Sequence, residues 1–274
     1  QQDPLFALLT AEIASQRGDT YSATLAYTEA AKQQKNPDLA KRAVEISLAE
    51  SQLELALNAA KVWVELSPDD KQASRSVMLL QLGTNKVDEA LPALKTYLNY
   101  IKNAEASHPG LGTVTVEKAA LDMLMRIPDK PKAYATALDL FVNDPANIEV
   151  QTMLAQVANA SELHAQAVGH MENVVQKLPQ ERFYVLMAQF MEKRDGNPGN
   201  AMQLIDGLAN QNPDWFGARL YLARNHTQLQ QWQQARQRFG EMIALQPDNI
   251  PLYSSQGCVL TQLKDYKAAE KHVR

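Results

Sequence analysis

The feature that most constrains this chain is a beat of 34 residues. Pro145, Pro179, Pro213 and Pro247 are each 34 apart, and so are Ala133, Ala167, Ala201, Ala235 and Ala269. Upstream, Ala56 and Ala90 keep the interval of 34, and Ala23 precedes Ala56 by 33. A period between about 20 and 50 residues marks a repeat architecture, in which one supersecondary unit recurs and buries its apolar face against its neighbours. Ordinary two-domain division of a 274-residue chain is therefore the wrong frame.

One period shows why these positions recur. Phe216 to Gln228 places Leu220, Leu222 and Ala223 on a helical stripe, and Gln230 to Gln233 makes a polar corner. Gln234 to Leu245 then supplies Ala235, Phe239, Met242 and Ile243 at i, i+4, i+7 and i+8. The pattern predicts helix, turn, helix. Small Ala223 and Ala235 let the two backbones approach, Phe239 and Met242 fill the space between hairpins, and Pro247 stops the second helix.

A helix hairpin of 34 residues, with Ala after the turn, an aromatic or aliphatic residue four later and Pro at the end, resembles the tetratricopeptide repeat (TPR). Tyr253, Gly257, Tyr266 and Ala269 carry the resemblance in the last unit, and Ala11, Gly18-Asp19, Ala23, Tyr27 and Ala30 in the first. The repeat's first-helix Trp is absent, and Met78 and Gln189 stand where a small residue is usual. The resemblance implies an all-α fold, a TPR α-solenoid wound as a right-handed superhelix of about seven and a half hairpins. Units then fall at about 4–36, 37–70, 71–113, 114–147, 148–181, 182–215, 216–249 and 250–274. The third is 43 long, and its surplus lies around Asn99 to Thr113, where Ala106 to Gly112 reads as an exposed loop and a hinge. The expected organisation is an N-terminal lobe over 4–113 and a C-terminal lobe over 114–274 in one continuous solenoid. Because the last unit stops inside its second helix, the chain is expected to be part of a longer protein.

Composition agrees and narrows function. Eleven glycines in 274 residues leave little of the turn chemistry of hairpin-rich β proteins. A net charge of -4 removes the electrostatic case for nucleic acid, and no apolar run approaches the roughly 18 residues of a membrane span. The single Cys258 forms no internal disulfide and no cysteine-based zinc cage. His108, His164, His170, His226 and His272 include no i, i+4 pair, so neither a metal nor a cofactor is expected. Gly110-Leu111-Gly112 lacks the third glycine and the Lys-Ser/Thr of a phosphate cradle, and Asp69-Asp70 beside Pro68 reads as a helix cap. No catalytic constellation remains, and the chain reads as a non-enzyme.

What remains is a surface. In TPR folds the first helices line the concave face, and mapping that pattern here gives Lys118, Asp122, Met125 and Arg126 in unit four. Unit six gives Phe183, Leu186, Phe190, Lys193 and Arg194, and unit seven Leu220 and Arg224, with Phe183 and Phe190 reading equally as interhelix core of a weakly matching repeat. Together they would form an apolar groove with a basic rim, suited to an acidic side chain or terminal carboxylate of an extended peptide. The ends differ in charge: residues 1–70 hold 6 Lys and Arg against 11 Asp and Glu, residues 215–274 hold 8 against 4. Such polarity can steer a partner or a second copy of the chain.

A closer resemblance lies at the start. The run Leu5 to Ala14, with Gly18-Asp19, Tyr27, Pro37, Ala40 to Ala43, Trp63 and Leu66-Ser67-Pro68, resembles TPR outer-membrane lipoproteins of Gram-negative bacteria. These serve as adaptors of carboxyl-terminal processing proteases and deliver substrates such as cell-wall hydrolases. The resemblance implies a protein partner of that kind at the periplasmic face of the outer membrane, with signal and lipid-bearing cysteine preceding Gln1. The alternative is a TPR module of a larger protein with an enzymatic, secretion or pilus-assembly role.

Overall fold

The structure is a computed structural model and describes residues 4–107 and 114–270. Among the described residues there are sixteen helices and no strand, so the fold is all-α, and successive helices pair as hairpins of the TPR type. The chain divides into two compact units, Gln1–Val142 and Asn143–Arg274. The first holds the hairpins from α1 (Pro4–Gln16) to α8 (Lys130–Leu140), the second those from α9 (Ile148–Ala160) to α16 (Tyr266–Glu270). This division falls one hairpin beyond the junction expected after residue 113, since α7 (Val116–Leu124) packs on α5 (Lys71–Gly83) and α6 (Val87–Ser107).

The alanine beat is a packing column. Ala23, Ala56, Ala90, Ala133, Ala167, Ala201, Ala235 and Ala269 are all buried. Each stands near the start of a second helix, where a methyl group is the largest side chain the close backbone approach admits. In unit seven the sequence reading matches closely: α13 spans Phe216–Gln228 and α14 spans Trp232–Leu245. Ala223, Ala235, Phe239 and Met242 join one buried cluster with Leu252 and Val259 of α15 (Ile250–Gln262).

A second regularity lies five residues before the alanines. Gly18, Ser51, Asn85, Glu162, Gly196, Gln230 and Lys264 all have φ between 56° and 73°, the left-handed conformation. In six of these hairpins the next residue closes a Schellman-type bond back across the helix end, as in Lys86 N–H to Gln81 O at 2.8 Å and Gln231 N–H to His226 O at 2.8 Å. The carbonyls that would otherwise be orphaned are satisfied, and the chain reverses in three residues. Unit four breaks the rule because its equivalent position is Pro128, whose ring fixes φ near about -65°. There α7 ends early at Leu124, and the Lys130 ammonium donates to the carbonyls of Met125 and Ile127, both at 2.7 Å.

Of the exposed loop expected over Ala106 to Gly112, Ala106 and Ser107 are helical, since α6 runs to Ser107, 21 residues in all. Ala104, Glu105 and Ala106 favour helix and carry it toward Pro109. The remainder of that expected loop and hinge, 108–113, lies outside the described residues, as do His108, His272 and Gly110 to Gly112. Asp70 caps α5 as expected, accepting from the N–H groups of Gln72 and Ala73 at 2.8 and 3.3 Å.

In the second unit a buried cation ties three helices together. Arg219 on α13 donates to the carbonyl of Ala209, in the last turn of α12 (Gly199–Gln211), at 3.1 Å and to that of Trp215, in the loop that follows, at 2.9 Å. It also meets Glu241 of α14 at 3.4 Å, and Glu241 accepts from Arg238 at 2.9 Å, which in turn pairs with Asp206 of α12. Positive charge at a helix C-terminus complements its dipole, and here it is shielded from water.

Candidate functional site

The residues expected to form one concave face lie on two separate units and are described unit by unit. In the first, Lys118, Asp122, Met125 and Arg126 are all exposed. Asp122 and Arg126 face each other one helical turn apart at 3.4 Å, an exposed pair of the kind that contributes at most about 1 kcal/mol. Arg126 also lines a recess of about 350 Å³ with Leu48, Leu53, Ser76, Leu79 and Gly83. Its place follows from Pro128, since the early end of α7 puts Arg126 in a turn instead of the helix.

In the second unit, burial changes the expected groove. Phe183 and Phe190 of α11 (Glu181–Asp195) are 4% and 5% exposed, so they serve the core and offer no face to a partner. Their aromatic rings are the groups that gain most from leaving water, and neighbouring elements cover them. Leu186 and Leu220 are half-buried, and Leu220 packs against the cluster around Ala235 and Phe239. Arg194 is exposed but held by Asp195, through Nε at 2.7 Å and Nη2 at 3.3 Å. The guanidinium holds the Asp195 carboxyl below the usual carboxylate range, with Asn200 assisting, and Asp195 in turn raises Arg194.

Lys193 and Arg224 remain available, and each lines a recess. One, of about 360 Å³, lies between α11 and α13 and includes Lys193, Asn225 and Gln228. The other, of about 480 Å³, includes Arg224, Gln228, Trp232, Phe239 and Cys258. Gln228 belongs to both, so the two recesses form one strip across the first helices of three successive hairpins. A structural carboxylate underlies it: Glu192 accepts the Tyr221 hydroxyl and, at 3.0 Å, the Asn225 amide. Burial, and then that carboxylate, push the Tyr221 phenol far above its ordinary range.

The strip combines two cations, side-chain amides and the half-buried Trp232 ring. Such a surface can hold an extended chain, with amides meeting peptide groups and cations meeting acidic side chains. The register signal for Leu79 in the recess of the first unit and for Cys258 in the strip was present in the sequence. Leu79, Phe190, Arg224 and Cys258 each stand six residues before the left-handed turn residue of their hairpin. Applying the same mapping to units three and eight would have found Leu79 and Cys258. Among the described residues, no group of three or more His, Cys, Asp or Glu could hold a metal ion, and no helix is long and apolar enough to cross a membrane.

No protein-family model matches this chain, and no curated protein sequence matches it. Among solved structures, the crystal structure of MamA is similar at 16% identity and a TM-score of 0.45, over 58% of this chain and 91% of that one. The crystal structure of yeast Tom70 is similar at 14% identity and a TM-score of 0.41, over 97% of this chain and 68% of that one. The C-terminal part of a TPR repeat-containing protein from Cytophaga hutchinsonii is similar at 15% identity and a TM-score of 0.40, over 89% of this chain and 97% of that one. Likeness at this level carries no argument about function. The fold assignment rests on the repeat geometry of the chain itself.

Proposed function

We propose that this chain is a non-enzymatic protein-binding scaffold whose second unit takes an extended, acidic peptide segment. The observation that carries the reading is the strip from Lys193 through Gln228 to Cys258, with Arg224 beside the half-buried Trp232. In the same reading the scaffold is an adaptor at the periplasmic face of the outer membrane, presenting a processing protease or its cell-wall hydrolase substrates. Support for that finer role is the sequence resemblance carried by Leu5 to Ala14, Trp63 and Leu66-Ser67-Pro68.

Capture from an envelope fraction, with identification by mass spectrometry, tests both parts. The wild-type chain should retain a processing protease or a cell-wall hydrolase, and the double variant Lys193→Glu, Arg224→Glu should lose it at unchanged helicity. Retention by both proteins would remove the strip from the reading. Recovery of cytosolic chaperones alone would remove the envelope adaptor.

A further inference from the structure

A recess between α14 and α15 is lined mainly by side-chain amides. Gln233, Gln234, Arg236, Gln237 and Gly240 of α14 and Gln256 of α15 enclose about 460 Å³, and none of them belongs to the strip. Gln256 is only 9% exposed, and its Nε2 donates to the Arg236 carbonyl at 3.3 Å. A carbonyl can only accept, so the amide's orientation is fixed, and Oε1 is left without a partner among the described residues yet open to solvent. A nearly buried acceptor is ordinarily paired, and here the pairing is left to whatever enters the recess. Gln237 donates to Glu241 at 3.0 Å and keeps its own oxygen to accept, while Gln233 and Gln234 make no side-chain hydrogen bond among the described residues. Arg236 faces Asp265 at 3.6 Å, which offsets its charge. Gly240 keeps the space open: a Cβ there would meet only Gln256 Nε2, at 3.5 Å, although glycine is a poor residue inside a helix.

We propose that this recess binds one or two rings of a neutral oligosaccharide. A sugar hydroxyl both donates and accepts, as a carboxamide does, so adjacent hydroxyls pair with the oxygen and nitrogen of one amide. Gln256 Oε1 takes a hydroxyl proton at the floor, and Gln233, Gln234 and Gln237 meet the outward hydroxyls. The lining disfavours other classes. An anion finds a cation already offset by Asp265, and an apolar group finds amides in place of an aliphatic or aromatic wall. A polypeptide carries backbone amides too, but its side chains find neither an apolar wall nor an uncompensated charge. The volume lies within the range of small-molecule sites. The proposal stands apart from the strip and from what the strip binds.

The test uses the full chain with maltotriose, cellotriose and triacetylchitotriose as neutral probes and trigalacturonate as an acidic one, in saturation-transfer NMR followed by calorimetric titration. At least one neutral trisaccharide should bind, and more tightly than trigalacturonate. Gly240→Leu, which fills the recess with a better helix former, should weaken that sugar at least about ten-fold, about 1.4 kcal/mol, at unchanged helicity. Gln256→Met, which removes the floor acceptor at similar volume, should do the same. Arg224→Glu should leave sugar binding unchanged, so a failure of the strip and a failure of the recess are read separately. Binding of no neutral trisaccharide, tighter binding of trigalacturonate, or a Gly240→Leu protein that binds sugar like wild type overturns the proposal. A pentaglutamine peptide that binds more tightly than every sugar also overturns it, in favour of a polypeptide surface.

Discussion

Four glycines offer one substitution in two backbone settings. Gly18 and Gly196 occupy hairpin turns with φ of 73° and 68°, whereas Gly169 and Gly207 lie inside α10 (His164–Lys177) and α12. A Cβ added at any of the four meets nothing within 4 Å, so alanine there perturbs the backbone and no packing. In the turns, an L-residue pays about 1–2 kcal/mol for the left-handed conformation. Reduced freedom of the unfolded chain offsets about 0.4–1 kcal/mol of that. Gly18→Ala and Gly196→Ala should therefore each destabilise by about 1 kcal/mol. Within the helices the sign reverses, and Gly169→Ala and Gly207→Ala should stabilise by about 0.8–1 kcal/mol. Urea unfolding followed by circular dichroism gives the ordering, and hydrogen exchange assigns each change to its hairpin, because long repeat arrays depart from two-state behaviour. The same sign at all four positions would refute the assignment of the turns as strained and of the helices as unstrained.

Two further outcomes follow from buried polar groups. Tyr27 donates to Glu12 at 2.6 Å, and burial followed by that carboxylate raises its phenol to about 12. The neutral form is thus favoured in the fold, so its contribution is complete below pH about 10 and is lost as pH rises from about 10 to 12, by up to roughly 2 kcal/mol. Thermal melts across that range should show the loss in wild type and a flatter profile in Tyr27→Phe. Arg219→Met removes the cation from three helices while keeping the aliphatic stem, and should cost about 3 kcal/mol, measured as a shift in the urea midpoint. A cost below about 1 kcal/mol would mean that water already satisfies those carbonyls.

Much of this architecture was legible because periodicity is written in side chains that pack. The alanine column and the limits of α13 followed from spacing alone. The left-handed turns did not, because only Gly18 and Gly196 carry the residue that announces such a backbone; Ser51, Asn85, Glu162, Gln230 and Lys264 adopt it because the hairpin closure compels them. Pro128 was visible, yet its effect on α7 needed the knowledge that its slot demands positive φ. Periodicity also names a face without naming what covers it. Register leaves Phe183 and Phe190 either on an open face or in the interhelix core, and burial by neighbouring elements puts them in the core. Lys193 and Arg224 keep their exposure since no neighbouring element gains by burying an unpaired cation, and Arg126 stays exposed with its partner Asp122.

An array stabilised only by contacts between neighbours can unzip from an end, one hairpin at a time. The clasp of Arg219, Glu241, Arg238 and Asp206 spans two hairpins and interrupts that sequence of events. Opening α14 alone would take Glu241 away from Arg219, which stays among the carbonyls of α12 and its following loop, and would take Arg238 away from Asp206 of α12. Fraying that enters through α15 and α16 would therefore halt at α14, and the next step would release two hairpins together. Limited proteolysis of the native chain should accordingly leave a fragment ending close to the C-terminus of α14, with no ladder of shorter products across α12 and α13.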